Sequence, residues 1–342
     1  MNVVHFPSLE EIELHSPSRK FHSFCRNVSL ALGGIRNVGT WGGGHPFDVQ
    51  IRRVPAGAAI CPYHSHLGQW EFFLVRSGSG TVRVDGETHV IRTGDFFVHP
   101  PGVAHQVLNT GNSDLEILIV ADNPQVDGCF YPDSNKWALR PPSGLFFRLT
   151  EVDYFDGEDP LAPTSPLQRQ TLPPRAENAR PFSSRKLHID QASWEEWGSP
   201  AKKFHGTSKE LSMALGAKRN TPTGLGGHPF EVEFGKLAPG ERGCPFHYHA
   251  AQWELFLFLE GTATVRAGAE SRVLRAGDVV LHPPFEAHDF TNTGETELTY
   301  LLIADNPPAD YWHYPDSKKW GLRKPRTFFR MQEVEYYDGE ES

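Results

Sequence analysis

Apolar and polar residues alternate along this chain in short runs, and no long helical period appears. The runs predict strands over 71–75, 81–84, 88–91, 95–99, 104–108 and 115–121. Turn signals separate them: Ser77-Gly78, Asp85-Gly86, Thr93-Gly94, Pro100-Pro101-Gly102 and Asn109-Thr110-Gly111. Successive side chains on a strand point to opposite faces, so strands at this spacing predict an all-β antiparallel sandwich or barrel. Phe72, Phe73, Phe96 and Phe97 are expected to alternate faces and to pack it.

The pattern occurs twice. A shift of 183 positions superimposes the halves without a gap from Lys20/Lys203 to Arg140/Arg323. Gly43-Gly44-His45-Pro46-Phe47 falls on Gly226-Gly227-His228-Pro229-Phe230, and Ala121-Asp122-Asn123-Pro124 on Ala304-Asp305-Asn306-Pro307. After a one-residue slip the match resumes at Phe146/Phe328 and ends at Gly157/Gly339. The expected organisation is therefore a first domain over 1–158, a proline-rich linker over 159–183 and a second domain over 184–342.

Composition narrows the partners. The formal charge of −9 leaves no basic footprint for nucleic acid, and Arg52-Arg53 reads as a surface pair. No apolar run is long enough for a membrane span, and residues 1–14 mix Glu10, Glu11 and Glu13 with apolar positions, unlike a signal peptide. Cys25, Cys61, Cys129 and Cys244 form no C-x-x-C pair, which makes a reducing cytoplasm the expected setting.

The candidate chemistry lies in the histidines. His64 and His66, two apart, share one face of a strand; Glu71 follows a turn-capable Leu67-Gly68, and His105 follows the Pro100-Pro101-Gly102 turn. His247, His249, Glu254 and His288 repeat the set. Neutral imidazoles and a carboxylate suit Mn, Fe, Ni or Zn. Burying them without a cation or full hydrogen bonding would be costly, which argues against a purely structural role.

The spacing resembles the two motifs of the cupin superfamily. Gly57…His64-Ser65-His66…Glu71…Gly78 is similar to the first, and Gly94…Pro100-Pro101-Gly102…His105…Asn109 to the second. Gly240…His247-Tyr248-His249…Glu254…Gly261 and Gly277…Pro283…His288…Asn292 repeat both. Each first motif has one extra residue before H-x-H, and Phe285 replaces the second copy's turn glycine, a change expected to alter the turn but not the ligands. The tail Asp122-Asn123-Pro124…Tyr131-Pro132-Asp133-Ser134 resembles uncharacterised bacterial cupins, some labelled sugar-isomerase-like. The resemblance implies two tandem jelly-roll (double-stranded β-helix) barrels, each with one divalent transition metal. Fe or Mn is favoured, with Zn or Ni as alternatives. It also allows a homo-oligomer, although two modules in one chain can reproduce the pairing of single-module dimers.

Around the ligands several positions remain open between a site role and a structural one. Asn109 and Asn292 either sit in a second shell or cap the following turn. Lys20, Lys203, His22, His205, Arg36, Arg219, His45, His228, Arg140 and Arg323 recur in both copies, as solvated groups or as groups at the barrel mouth that orient a carboxylate or phosphate. Cys61 and Cys244 precede the first ligand by an odd offset and are expected to point away from the metal. His99 and His282 are expected at the rim and are not counted as ligands. The leading expectation is a metal-dependent, dioxygenase-like enzyme acting on a small polar or anionic organic molecule. The alternatives are a sugar or sugar-phosphate isomerase or epimerase, and a non-catalytic binding or sensing protein.

Overall fold

The computed structural model describes residues 1–140, 145–161, 180–323 and 325–340. The chain forms two units, Leu9–Gln191 and Met1–Ser8 with Ala192–Ser342, called the first and second module below. This moves the domain limits expected from the repeat. Asn2–His5 pairs with Asp278–His282 in the second module, and Lys186–His188 pairs with Asp95–His99 in the first. Each of these short segments covers an otherwise open sheet edge. Both lie outside the span where the two copies align without a gap, so the repeat does not locate them. Residues 162–179 of the expected linker lie outside the described residues.

Each module contains a seven-stranded, a three-stranded and a four-stranded sheet, all antiparallel in their strand pairs. In the first module the large sheet runs Lys186–His188, Asp95–His99, Glu71–Ser77, Leu115–Asp122, Phe47–Val54, His22–Asn27 and Ile12–His15. The small sheets are His105–Leu108, Ser79–Val84 and Glu87–Arg92, and Phe146–Phe147, Lys136–Arg140, Asp127–Tyr131 and Ser65–His66. A single bridge between His64 and His105 ties these two together. The second module repeats the arrangement, with its bridge between His247 and His288.

The alternation is explained by the inner faces. In Ser79–Val84, Gly80, Val82 and Val84 are buried while Thr81 and Arg83 are only partly covered. Val82 and Val84 join Phe73, Val75, Phe97, Val107, Ile117 and Ile119 in one core cluster, and Phe256, Phe258, Val265, Phe290 and Leu298 form its counterpart. Phe73 and Phe97 stack at 5.0 Å, while Phe72 and Phe96 meet at 6.2 Å on the other face, as their alternation predicts.

Two turns bear on the site. Asp85-Gly86 adopts φ of 49° and 88°, the doubly left-handed turn that suits a tight hairpin. Phe285 holds φ of 67° where Gly102 has 79°. Its amide donates to the His249 carbonyl at 2.8 Å, as Gly102 does to His66 at 2.7 Å. The turn is therefore kept despite the substitution, with the steric cost carried by a bulky residue in the left-handed region. Among the described residues no helix is long and apolar enough to cross a membrane.

Candidate metal centres

In the first module Glu71 starts one strand of the large sheet, His66 lies on the short strand Ser65–His66, and His64 and His105 form the bridge beside it. The Glu71 Oε2 lies 2.7 Å from His105 Nε2, 3.7 Å from His66 Nε2 and 3.9 Å from His64 Nε2. In the second module the Glu254 Oε2 is 2.8 Å from His288 Nε2 and 3.8 Å from the Nε2 atoms of both His247 and His249. All eight expected ligands are thus brought together, four in each module.

The opposite nitrogen of every ring is committed. His64 Nδ1 donates to the Pro62 carbonyl (2.9 Å), His66 Nδ1 to the Asp127 carboxylate (2.7 Å) and His105 Nδ1 to the Val103 carbonyl (3.1 Å). His247, His249 and His288 donate likewise to Pro245 (2.9 Å), Asp310 (2.6 Å) and Glu286 (3.0 Å). These partners are acceptors only, so in the neutral ring each Nε2 presents a lone pair to the carboxylate. An imidazole lone pair cannot face a carboxylate oxygen at 2.7 Å without a proton or a cation between them. The donor set therefore fits a divalent ion.

The electrostatics point the same way for the carboxylates and for His64 and His247, whereas at His249 burial is outweighed by the charges of Glu254 and Asp310, which raise it. Burial, reinforced by the neighbouring imidazoles, pushes both His64 and His247 down to about 3. Burial also works to raise Glu71 and Glu254, but the hydrogen bonds and fields of the surrounding histidines outweigh it and hold both below the usual carboxylate range. Neutral His64 and His247 with ionised carboxylates is the state that metal binding requires.

Asp127 and Asp310 were not anticipated. Besides receiving His66 and His249, each accepts a backbone N–H at 2.9 Å, from Gly68 and Ala251. Arg140 reaches Asp127 at 2.6 Å, while Arg323 stands 3.9 Å from Asp310. This is how those two arginines approach the centres. The signal was present, since both aspartates sit at the repeat offset, but the two-residue spacing that marked the ligands is absent.

The other candidate positions are held by contacts of their own, and the expected place of His99 and His282 changes. Asn109 Nδ2 donates to Val54 O (2.7 Å) and Ser113 O (2.8 Å), and its Oδ1 accepts from Gly111 N (3.0 Å). Asn292 makes the same set with Leu237, Thr296 and Gly294. Both cap turns and neither bonds a ligand. Lys20 and Lys203 are exposed beside Phe21 and Phe204. His22 pairs with Glu13, and His205 with Glu196 and Glu241. His45 and His228 are buried, their carbonyls tied to Asn123 and Asn306. His99 and His282 are buried rather than at the rim, stacked on His105 and His288 at 4.1 and 4.0 Å. Cys61 Sγ lies 3.6 Å from His64 Nδ1, the ring nitrogen opposite the one that faces Glu71, whereas Cys244 lines the second cavity.

A large cavity opens beside the donors of the second module. In the second module a cavity of about 560 Å³ reaches His247, His249 and Glu254, with Arg219, Glu210, Glu233 and Tyr300 also on its walls. In the first a cavity of about 100 Å³, lined by Arg36, Trp41, Gln69, Asp127 and Arg140, touches none of the four ligands. Gly235, Tyr300, Glu233 and Glu210 of the second barrel correspond to Arg52, Ile117, Gln50 and Asn27 of the first. Arg52 is buried, not at the surface; it donates to Gln50 Oε1 (2.9 Å) and Ser23 Oγ (3.1 Å), and it pairs across the sheet with the core residue Ile117. Glu210 and Glu233 are cross-strand partners. Burial and the charge of Glu210 push Glu233 well above the usual carboxylate range.

The family model described as "Cupin domain" matches residues 50–121 and 233–304. The oxalate-binding protein of Thermotoga maritima is 34% identical over 68 residues, 20% of this chain and 55% of that protein. Auxin-binding protein 1 of Arabidopsis thaliana is 30% identical over 118 residues, 32% of this chain and 56% of that protein. The matches thus span little more than half the length of these relatives. Among solved structures, an oxalate decarboxylase of Bacillus subtilis superimposes with a TM-score of 0.53 at 18% identity, covering 91% of this chain and 78% of that one. The Lactobacillus farciminis oxalate decarboxylase gives 0.52 at 16%, covering 90% and 86%. The Bacillus subtilis enzyme has Mn(II) centres.

Proposed function

Because this chain is a two-domain member of the cupin superfamily, we propose that it is a metal-dependent enzyme acting on a small, oxygen-rich organic acid in its second module. The carrying observation is that His247, His249, Glu254 and His288 converge beside a cavity of about 560 Å³, whereas in the first module the position of Gly235 is taken by the buried Arg52, bonded to Gln50 and Ser23. A divalent ion held there supplies Lewis-acid or redox chemistry to an oxygen-bearing ligand, with Mn or Fe favoured by the oxygen and nitrogen donors. The oxalate-binding and oxalate decarboxylase relatives support a small carboxylate as the ligand.

This chain's residues have assignable parts. Asp310 fixes the ring of His249, and the Pro245 and Glu286 carbonyls fix His247 and His288. Phe256, Phe290 and Leu302 give the cavity an apolar patch among its charged walls, the feature that supports dioxygenase-like chemistry. Arg323 and Arg326 line the same cavity and suit a carboxylate. A second reading, sugar isomerisation, is favoured by one observation: the Glu210 and Glu233 pair offers a proton donor beside an acceptor.

The test is metal content and turnover of wild type, His64→Ala and His247→Ala after loading with Mn(II) or Fe(II). Each variant is expected to lose about half of the bound metal. Turnover on a panel of small oxo-, hydroxy- and dicarboxylic acids is expected to fall at least roughly hundredfold in His247→Ala alone. Oxygen uptake during turnover supports the dioxygenase-like reading, and equal anaerobic turnover of a sugar supports the second. If neither variant loses metal, the assignment of the centres is wrong.

A further inference from the structure

We propose that the first module's centre is a five-donor site in which Cys129 Sγ joins His64, His66, Glu71 and His105, so that it selects a thiophilic metal. Cys129 lies on Asp127–Tyr131 and is the direct cross-strand partner of His66, so the two side chains leave the same face of the sheet. Donor atoms of His64, His66 and Cys129 all lie within 4.8 Å of one another, and all three residues are buried. This rests on the reading that the four His and Glu donors of the first module hold a cation.

The second module supplies an internal control. Trp312 occupies the equivalent position, paired across the sheet with His249, and it offers no ligand atom. Cys244, the counterpart of Cys61, lines the large cavity, but the donor group there is His247, His249 and Glu254 with no sulfur in it, while the first module's centre has the Cys129 thiol at hand. Thiolate sulfur favours Zn, Co or Cu(I) over Mn. As the sulfur–metal bond forms, the thiol releases its proton to solvent and no electrons are transferred. Cys61 is not the donor: its sulfur lies 3.6 Å from His64 Nδ1, the ring nitrogen already directed at the Pro62 carbonyl.

The experiment titrates metal-free full-length protein with Co(II) and follows the near-ultraviolet sulfur-to-cobalt charge-transfer band. Wild type is expected to develop the band with one of its two equivalents, and Cys61→Ser and Cys244→Ser to keep it. Cys129→Ser is expected to lose the band while still binding Co(II), and to bind Zn(II) at that centre at least roughly tenfold more weakly. Two further variants leave the thiol intact, so that misfolding of Cys129→Ser cannot decide the result: His247→Ala should retain the band and His64→Ala should lose it. No band in wild type with both equivalents bound, or a band surviving Cys129→Ser, overturns the proposal. If His64→Ala leaves the stoichiometry unchanged, the reading of a metal in the first module has failed as well; if it removes one equivalent and no band was present, only the thiolate has failed.

Discussion

In the first module the residue across the sheet from Ile117 is Arg52; in the second the corresponding pair is Gly235 and Tyr300. A Cβ on Gly235 would lie 2.2 Å from Tyr300 Cζ, so the tyrosine ring covers the space a side chain would need. Arg52 is buried with its guanidinium spent on Gln50 and Ser23, while the second wall carries Glu210 and Glu233 beside open space. Duplication has thus kept both candidate donor sets while this cross-strand pair diverged in charge and volume. The divergence sits on the large sheet, whose inner face can change without moving the seam that holds the histidines.

The largest effect is expected from transplanting that wall. Gly235→Arg alone would overpack against Tyr300, at a cost of about 1–3 kcal/mol. Gly235→Arg with Tyr300→Ile instead reproduces the first module's own pair. The second centre should still take up metal, while turnover, or binding of oxalate if turnover is absent, falls at least roughly hundredfold because the cavity is occupied by a cation. Metal analysis and calorimetry check both halves. Undiminished turnover would place the reaction elsewhere and remove the functional distinction between the modules.

Much of this comparison was legible in the sequence. The repeat and the period-two runs located Asp95–His99 to the residue and the neighbouring strands to within two residues. The ligand quartets converge because the histidine and glutamate spacing is itself a geometric statement. What escaped depends on partners distant in sequence. Arg52 resembles any surface arginine until its strand is seen to pair with Leu115–Asp122. Cys129 becomes interesting only beside His66, across a pairing that no local pattern announces. Asn109 carried two local meanings, and its bonds to Val54, Ser113 and Gly111 decide for the turn.

A smaller effect separates the aspartates behind the centres. Asp127→Asn and Asp310→Asn keep an oxygen to receive His66 or His249 but lose the charge that strengthens the imidazole as a donor. Metal affinity should fall roughly 10–100-fold at the altered centre, measured by chelator competition. The loss should be greater for Asp127→Asn, because Arg140 stands 2.6 Å from Asp127 while Arg323 is 3.9 Å from Asp310. Removing the carboxylate leaves Arg140 next to a neutral amide, its charge no longer offset and closer to the bound cation. Equal losses would mean that the arginines do not tune the two centres differently.

The smallest effect tests whether the modules are alike where the structure says they are. Asn109 and Asn292 make the same three bonds, at 2.7, 2.8 and 3.0 Å in the first module and 2.9, 2.9 and 3.0 Å in the second. Alanine at either position leaves one backbone donor and two carbonyls without their side-chain partner, at a cost of about 1–3 kcal/mol. Because the lost bonds match, the destabilisation should match too, read from each module's own unfolding transition in denaturant. Metal stoichiometry and affinity should stay at wild-type values in both variants. A tenfold loss of metal affinity in one of them would return that asparagine to the site, and would show that the modules diverge at the turn as well as at the barrel wall.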